Sequence, residues 1–326
     1  MHSERSQMPA ALSRRSLIKR GVGAGLALTL APGWLARAAE LPMIMGTIPK
    51  TGERIPAVGL GSSATFAAVA RAEDFDAVRG VMSTLFEGGG RVFDTAPGYG
   101  ASEQVSGQVA QELGIAEQLF WATKLNVAGR GGGSASEADA RAQLETSFNR
   151  VGTSVIDLIQ VHNMGAPGVQ LPILQEYKQE GRIRYLGITT TFPNQYDSLI
   201  QVMQRYDLDF IGIDYAVDNR DVEERILPLA RDLGIAVLCY APFGRTRLWA
   251  RVGDRPVPDY ARDFDASTWA QFFLKFALSH PTITAVTPST SRPSNMADNI
   301  GGMLGRLPDE AMRRRMIETV EALPAV

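Results

Sequence analysis

Along the chain, short apolar runs of four to six residues alternate with longer segments in which apolar positions recur every three or four residues. The short runs fall at 58–61, 91–94, 119–123, 156–161, 183–188, 209–213, 235–240 and 283–287, and each predicts a β-strand. Between the first two, Phe75, Val78, Met82 and Phe86 share one face of a predicted helix over Glu73–Glu87, and Gly88-Gly89-Gly90 stops it. One run plus one such segment takes about 30 residues, the beat of βαβ units and a parallel sheet. Eight repeats with no long linker predict a closed (β/α)8 TIM barrel rather than a doubly wound sheet with a second domain. Before the first run, two extended stretches around Lys50-Thr51-Gly52-Glu53 predict an N-terminal β-hairpin across the barrel bottom. After the last, Pro308–Leu323 predicts an extra C-terminal helix with an acidic first turn.

Composition narrows the chemistry. The 326 residues carry 33 Lys and Arg against 35 Asp and Glu, with 45% hydrophobic residues, the balance of a folded soluble protein. A single cysteine, Cys239, excludes an internal disulfide. His2, His162 and His280 form no cluster spaced like a metal site, so no metal is expected.

The first 38 residues differ from the rest. Ser13-Arg14-Arg15-Ser16-Leu17-Ile18-Lys19 runs into an apolar stretch from Gly21 to Leu35, followed by the small-x-small site Ala36-Arg37-Ala38. This resembles a twin-arginine signal peptide over 1–38, with the barrel spanning 39–326. It implies recognition by the twin-arginine export machinery and delivery, already folded, to the periplasm. The apolar stretch, broken by Pro32 and Gly33, falls short of the roughly 20 residues of a membrane anchor. Glycines 21, 23 and 25 follow no strand and are no dinucleotide fingerprint. The leader carries +5, which leaves the remaining chain at −7 against −2 for the whole, and no basic stripe follows residue 40. Nucleic acid is not an expected partner.

In a barrel, reactive groups gather where strands end. Asp94 ends the second run, Tyr99 follows it, Lys124 stands just past the third and His162 just past the fourth. Taken singly, each has a structural explanation: a buried ion pair, a loop aromatic, a core histidine. Four at successive strand ends on one face favour a joint role. A phenol is a sluggish acid at neutral pH, but a nearby ammonium favours its phenolate and makes it a better proton donor. Lys124 would act so on Tyr99, Asp94 would balance Lys124, and neutral His162 would donate a hydrogen bond to a substrate oxygen.

The segment Asp94-Thr95-Ala96-Pro97-Gly98-Tyr99-Gly100-Ala101-Ser102-Glu103, the run Ala122-Thr123-Lys124 and the stretch Leu144–His162 resemble the corresponding motifs of the aldo-keto reductase family. The resemblance covers about Gly46 to Leu323. It implies an NAD(P)(H)-dependent oxidoreductase that interconverts an aldehyde, ketone or sugar carbonyl with its alcohol. Tyr99, Lys124, Asp94 and His162 are then the catalytic group. By the same resemblance Tyr240 stacks on the nicotinamide, Phe243, Gly244 and Arg245 reach the pyrophosphate, and Ser289, Thr290, Asn295, Asp298 and Asn299 take the adenosine end. NADP is the expected cofactor, NAD the alternative. The chain departs from the family at the nicotinamide carboxamide, where Thr189-Thr190 stand for Ser-Asn and Gly212 for Gln. At the 2′-phosphate, Asn295 replaces a basic residue and Arg292 lies nearby.

The segment from Arg245 to Ala266 holds five arginines and four aspartates and reads as a solvated lid or as a belt over the pyrophosphate. Gly129–Ser134 lacks the ending of a phosphate loop and reads as a rim. Trp121, Trp249 and Phe66 are aromatic candidates for a substrate pocket. Export without a pool of free cofactor implies a tightly held dinucleotide. Two other classes fit the same residues: a cofactor-binding sensor with little turnover, and a nicotinamide-independent lyase using Tyr99 and His162 as acid and base.

Overall fold

The apolar runs do become strands in the computed structural model, which describes residues 41–128 and 133–324. The expected leader and residues 129–132 of the glycine-rich rim lie outside the described residues. β1 (Met45–Thr47) and β2 (Arg54–Pro56) pair antiparallel, with Met45 opposite Pro56, as the expected hairpin. Then come β3 (Leu60–Gly61), β4 (Val92–Asp94), β5 (Phe120–Leu125), β6 (Ile156–Val161), β7 (Ile183–Thr190), β8 (Phe210–Asp214), β9 (Ala236–Tyr240) and β10 (Ile283–Val286). These eight lie in sequence order, each parallel to the next. The ring closes where Val58 bridges Val286 and Gly61 bridges Ser289, with Gly59 N–H donating to the Val286 carbonyl at 2.9 Å. This is the (β/α)8 barrel.

Strand ends differ from the sequence expectation. Only Leu60–Gly61 of 58–61 is regular strand, with Val58 contributing a bridge. β5 and β7 run past 123 and 188 to Leu125 and Thr190. Lys124, Thr189 and Thr190 are buried there because partners inside the fold satisfy their polar atoms.

Alternation along the strands makes two apolar layers. Val92, Phe120, Leu158, Tyr185, Phe210 and Leu238 fill the barrel, and Ile48 and Ile55 of the hairpin close it from below. Phe93, Trp121, Ile159, Leu186, Ile211 and Val237 face outward against the helices. Each fully buried Leu or Phe contributes ~1.5–3 kcal/mol.

The helices are α1 (Ala64–Arg71), α2 (Phe75–Glu87), α3 (Ser102–Glu112), α4 (Glu137–Val151), α5 (Pro167–Gln179), α6 (Tyr196–Arg205), α7 (Ile226–Asp232), α8 (Arg247–Val252), α9 (Trp269–Leu278), α10 (Pro293–Gly301) and α11 (Glu310–Glu321). Asp74 caps α2 by accepting from Ala77 N–H at 3.0 Å, so the helix begins at Phe75 rather than Glu73. Asp309 caps α11 in the same way, and Arg313 ties that expected tail helix to the Phe276 carbonyl and the Tyr215 hydroxyl. Among the described residues no helix is long and apolar enough to cross a membrane.

Two of the aromatic pocket candidates are packing residues. Trp121 is buried on the outer side of β5 and donates its indole N–H to the Ala116 carbonyl, while Phe66 is buried edge-on against Phe93. Trp249 is 38% exposed and rests on Phe243 and Phe273. The arginine-rich segment is folded on its apolar residues, with Arg245, Arg247, Arg255 and Arg262 exposed to solvent. It contains α8, buries Ala261 and Phe264, and engages Arg251 with the carbonyls of Val320 and Leu323.

Candidate active site

The ends of β4, β5 and β6 bring the expected quartet together. Lys124 Nζ donates to both Asp94 carboxylate oxygens, at 2.8 and 2.9 Å, and to the Thr95 carbonyl at 2.8 Å. Both side chains are nearly inaccessible, at 1% and 4%. Burial alone would lower the Lys124 pKa, but Asp94 and the Tyr99 phenol outweigh it and raise it, so the ammonium stays charged. Burial raises the Asp94 pKa, with Lys124 and Tyr240 pulling against it.

Tyr99 and His162 are only partly buried and stand above this pair. Lys124 Nζ lies 5.2 Å from the centre of the Tyr99 ring. The His162 ring meets Tyr99 edge-on, centroids 5.9 Å apart and planes at 79°. A tight turn presents Tyr99: its N–H donates to the Ala96 carbonyl, and the Ser102 hydroxyl donates to the carbonyls of Tyr99 and Ser62. The neighbouring Glu103 is buried and accepts from Thr123, Ser147 and Arg150, which joins three elements beneath the turn. The arrangement sets a charged ammonium against a phenol at an accessible rim, with an imidazole beside it: a proton donor and a hydrogen-bond donor for one oxygen.

The cofactor candidates are spread along β7 to α10, and most are engaged with other residues of the chain. Thr189 Oγ1 accepts from Asn163 N–H at 3.0 Å and holds the loop after His162, where Asn163, Met164 and Ala166 adopt left-handed backbone. Thr190 Oγ1 donates to the Gln195 side chain at 2.5 Å and accepts from Phe192 N–H at 3.1 Å. Gly212 has no room for a side chain: a Cβ there would sit 2.4 Å from the Tyr240 ring. Tyr240 directs its hydroxyl down to Asp94 at 3.2 Å, and burial with the nearby Asp94 pushes its phenol well above the ordinary value.

Arg245 is exposed and paired with Asp214 at 3.0 Å, while Asp218 lies against Gly244 and pairs with Arg247 at 3.2 Å. Phe243 packs on Trp249. Ser289 donates to the Ser63 carbonyl, and Thr290 accepts from Arg292 N–H. Asn295 and Arg292 are exposed at the start of α10, and Asn299 is buried within it. Asp298 accepts from Thr268 and Gln271 of α9 and lines a cavity of about 440 Å³ between α9 and α10. The donor set fits the phosphates of a dinucleotide. It offers Arg245, the hydroxyls of Ser289 and Thr290, a buried Thr287 Oγ1 with no hydrogen-bond partner among the described residues, and an α10 N-terminus whose N-cap residue makes no side-chain cap bond. Among the described residues no group of three potential ligands could hold a metal ion.

A profile described as the aldo/keto reductase family matches residues 57–317. The chain belongs to that family. This aldo/keto reductase is similar to a probable aldo-keto reductase of Glycine max, 27% identical over 75% of this chain and 78% of that protein. It is also similar to an NADH-specific methylglyoxal reductase of Escherichia coli, 31% identical over 52% of this chain and 58% of that protein. Its fold is shared with an aldo-keto reductase from Klebsiella pneumoniae in complex with NADPH, at a TM-score of 0.67 and 20% identity over 86% of this chain and 96% of that chain.

Sequence reasoning missed Gln160 and the acids Asp214 and Asp218. Gln160 left a signal: it alternates with Leu158 on the inner face of β6, so a polar residue two before His162 must lie in the barrel. Its contact with Tyr240, eighty positions away, had none.

Proposed function

We propose that this chain interconverts a small carbonyl compound and its alcohol with a nicotinamide dinucleotide, and that Tyr99 is the proton donor. The observation that carries this is the charged, buried Lys124 set between Asp94 and Tyr99, with His162 against the same phenol. A bound reduced dinucleotide supplies the hydride. The protein's own residues do the rest. His162 donates a hydrogen bond that fixes the substrate oxygen, and Tyr99 delivers a proton to that oxygen as negative charge develops there. Lys124 favours the phenolate left on Tyr99, and Asp94 keeps the ammonium in place.

NADP is the preferred dinucleotide in this reading. Arg292 stands exposed at the start of α10, where a 2′-phosphate would meet its charge. Tight retention follows from the export reading: the twin-arginine leader over 1–38 sends a folded, loaded protein to the periplasm. Mass spectrometry of small molecules released from natively purified protein tests this, and a stable protein that is empty and binds neither dinucleotide counts against it.

A sensor with little turnover is favoured by one observation, the loss of carboxamide donors at Gly212 together with the engaged hydroxyls of Thr189 and Thr190. A screen of aldehydes, ketones and sugars with NADPH and NADH decides between the two. Oxidation of the dinucleotide by at least one class supports the reductase; binding with no turnover on any class supports the sensor.

A further inference from the structure

Tyr240 does more in this chain than present a ring at the barrel mouth. Its hydroxyl donates to Asp94 Oδ1 at 3.2 Å and accepts from Gln160 Nε2 at 2.9 Å. Its ring lies 5.2 Å from Lys124 Nζ, as far as the Tyr99 ring lies on the other side. Room for this posture comes from two neighbouring strands. A Cβ at Gly212 would meet the ring at 2.4 Å, and one at Gly187 would press on Gln160 Cγ at 3.1 Å. Gln160 is wholly buried; its Nε2 donates to Tyr240, and its Oε1 has no hydrogen-bond partner among the described residues. A buried amide with half its capacity unused is costly in an apolar barrel, so the bond it does make to Tyr240 must contribute to holding that hydroxyl in place.

We infer that Gln160 and Tyr240 form a positioning layer beneath the reacting groups, which orients Asp94 and so tunes how strongly Lys124 acidifies Tyr99. The inference rests on the reductase reading and deepens it. The titratable groups facing Asp94 are Lys124 from β5 and Tyr240 from β9; Tyr99, from the loop after β4, faces Lys124, with His162 beside Tyr99. The Tyr240 hydrogen bond draws on the Asp94 charge. Without it, that charge acts undivided on Lys124, the pull of Lys124 on Tyr99 weakens, and the phenol becomes a poorer acid. The hydroxyl therefore acts through Asp94 and Lys124, and Tyr240 is here a positioning residue.

Tyr240→Phe keeps the ring and removes the hydroxyl. The pH profile of kcat in the reductive direction is expected to move its Tyr99 limb upward by about 0.5–1 pH unit, the worth of one hydrogen bond. Dinucleotide affinity is expected to stay within about threefold, because the ring remains. Gln160→Leu, which frees the Tyr240 hydroxyl without touching Asp94, is expected to move the limb in the same direction by less, and serves if Tyr240→Phe does not fold. An unmoved limb in a folded variant overturns the inference, since a merely structural role would change the melting temperature alone. Tyr99→Phe keeps the two readings apart: if it retains full turnover the reductase reading falls, and if it abolishes turnover while the limb stays put only the positioning layer falls.

Discussion

On the β4–β6 side of the mouth, the charged atoms already sit with the partners a proton transfer needs: Lys124 on Asp94, Tyr99 above Lys124, His162 against Tyr99. On the β7–β10 side, the groups expected to hold a dinucleotide are engaged elsewhere. Arg245 is on Asp214, Arg247 on Asp218, Thr190 on Gln195 and Asp298 on α9. One side is preorganised and the other must exchange partners. Preorganised dipoles and charges need no rearrangement at the moment of reaction, whereas a binding loop that trades an internal ion pair for a phosphate gains only the difference between the two. Burial marks the same division, with Lys124 and Asp94 out of reach of water and Arg245 half exposed.

The largest expected effect breaks the preorganised side. Lys124→Met leaves the Asp94 carboxylate buried without its cation, and a loss of ~3–5 kcal/mol of stability is expected together with loss of turnover. Denaturant midpoints check it, and adding Asp94→Leu is expected to restore part of the stability but none of the turnover. If Lys124→Met is as stable as the parent, the pair is not the buried charge centre described.

The exchange of partners on the other side predicts effects of opposite sign. Arg245→Ala removes a cation from the loop proposed to meet the phosphates and is expected to weaken dinucleotide binding by roughly tenfold or more. Asp214→Asn releases Arg245 and is expected to tighten binding by a few fold, with kcat nearly unchanged. Titration calorimetry measures both. Weakening by both variants would mean that the ion pair supports the bound loop rather than competing with it.

The fold was legible because each barrel strand overlaps a short apolar run. The clustering of Asp94, Tyr99, Lys124 and His162 was legible because they fall where those runs end. What stayed hidden is what pairs across the barrel. Nothing local to Thr189, Thr190 or Asp298 announces that Asn163, Gln195 and Thr268 engage them. In the segment after β9 polarity marked a solvated surface at Arg245, Arg247, Arg255 and Arg262, but nothing local announced that Arg251 fastens the tail through hydrogen bonds to backbone. Strand ends at Leu125 and Thr190 were underestimated because a polar residue late in a run looks like a terminus until its partners are known.

The smallest expected effect is on stability at low pH. Arg306 hydrogen-bonds Asp265 and holds its carboxyl at about 2, below the ordinary 3.8. A depressed acid stabilises the fold above its ordinary pKa, and that contribution is lost as pH falls from about 4 towards about 2. Arg306→Met is expected to flatten the acid limb of stability in that window, read by thermal melts across pH.

The central claim is that Tyr99 delivers the proton while the dinucleotide is held by other residues, and Tyr99→Phe separates the two in one preparation. With dinucleotide binding and steady-state reduction measured side by side, the account predicts unchanged affinity and a fall in kcat of about 10²–10⁴. Turnover near the parent level in a variant that still binds the dinucleotide would contradict it.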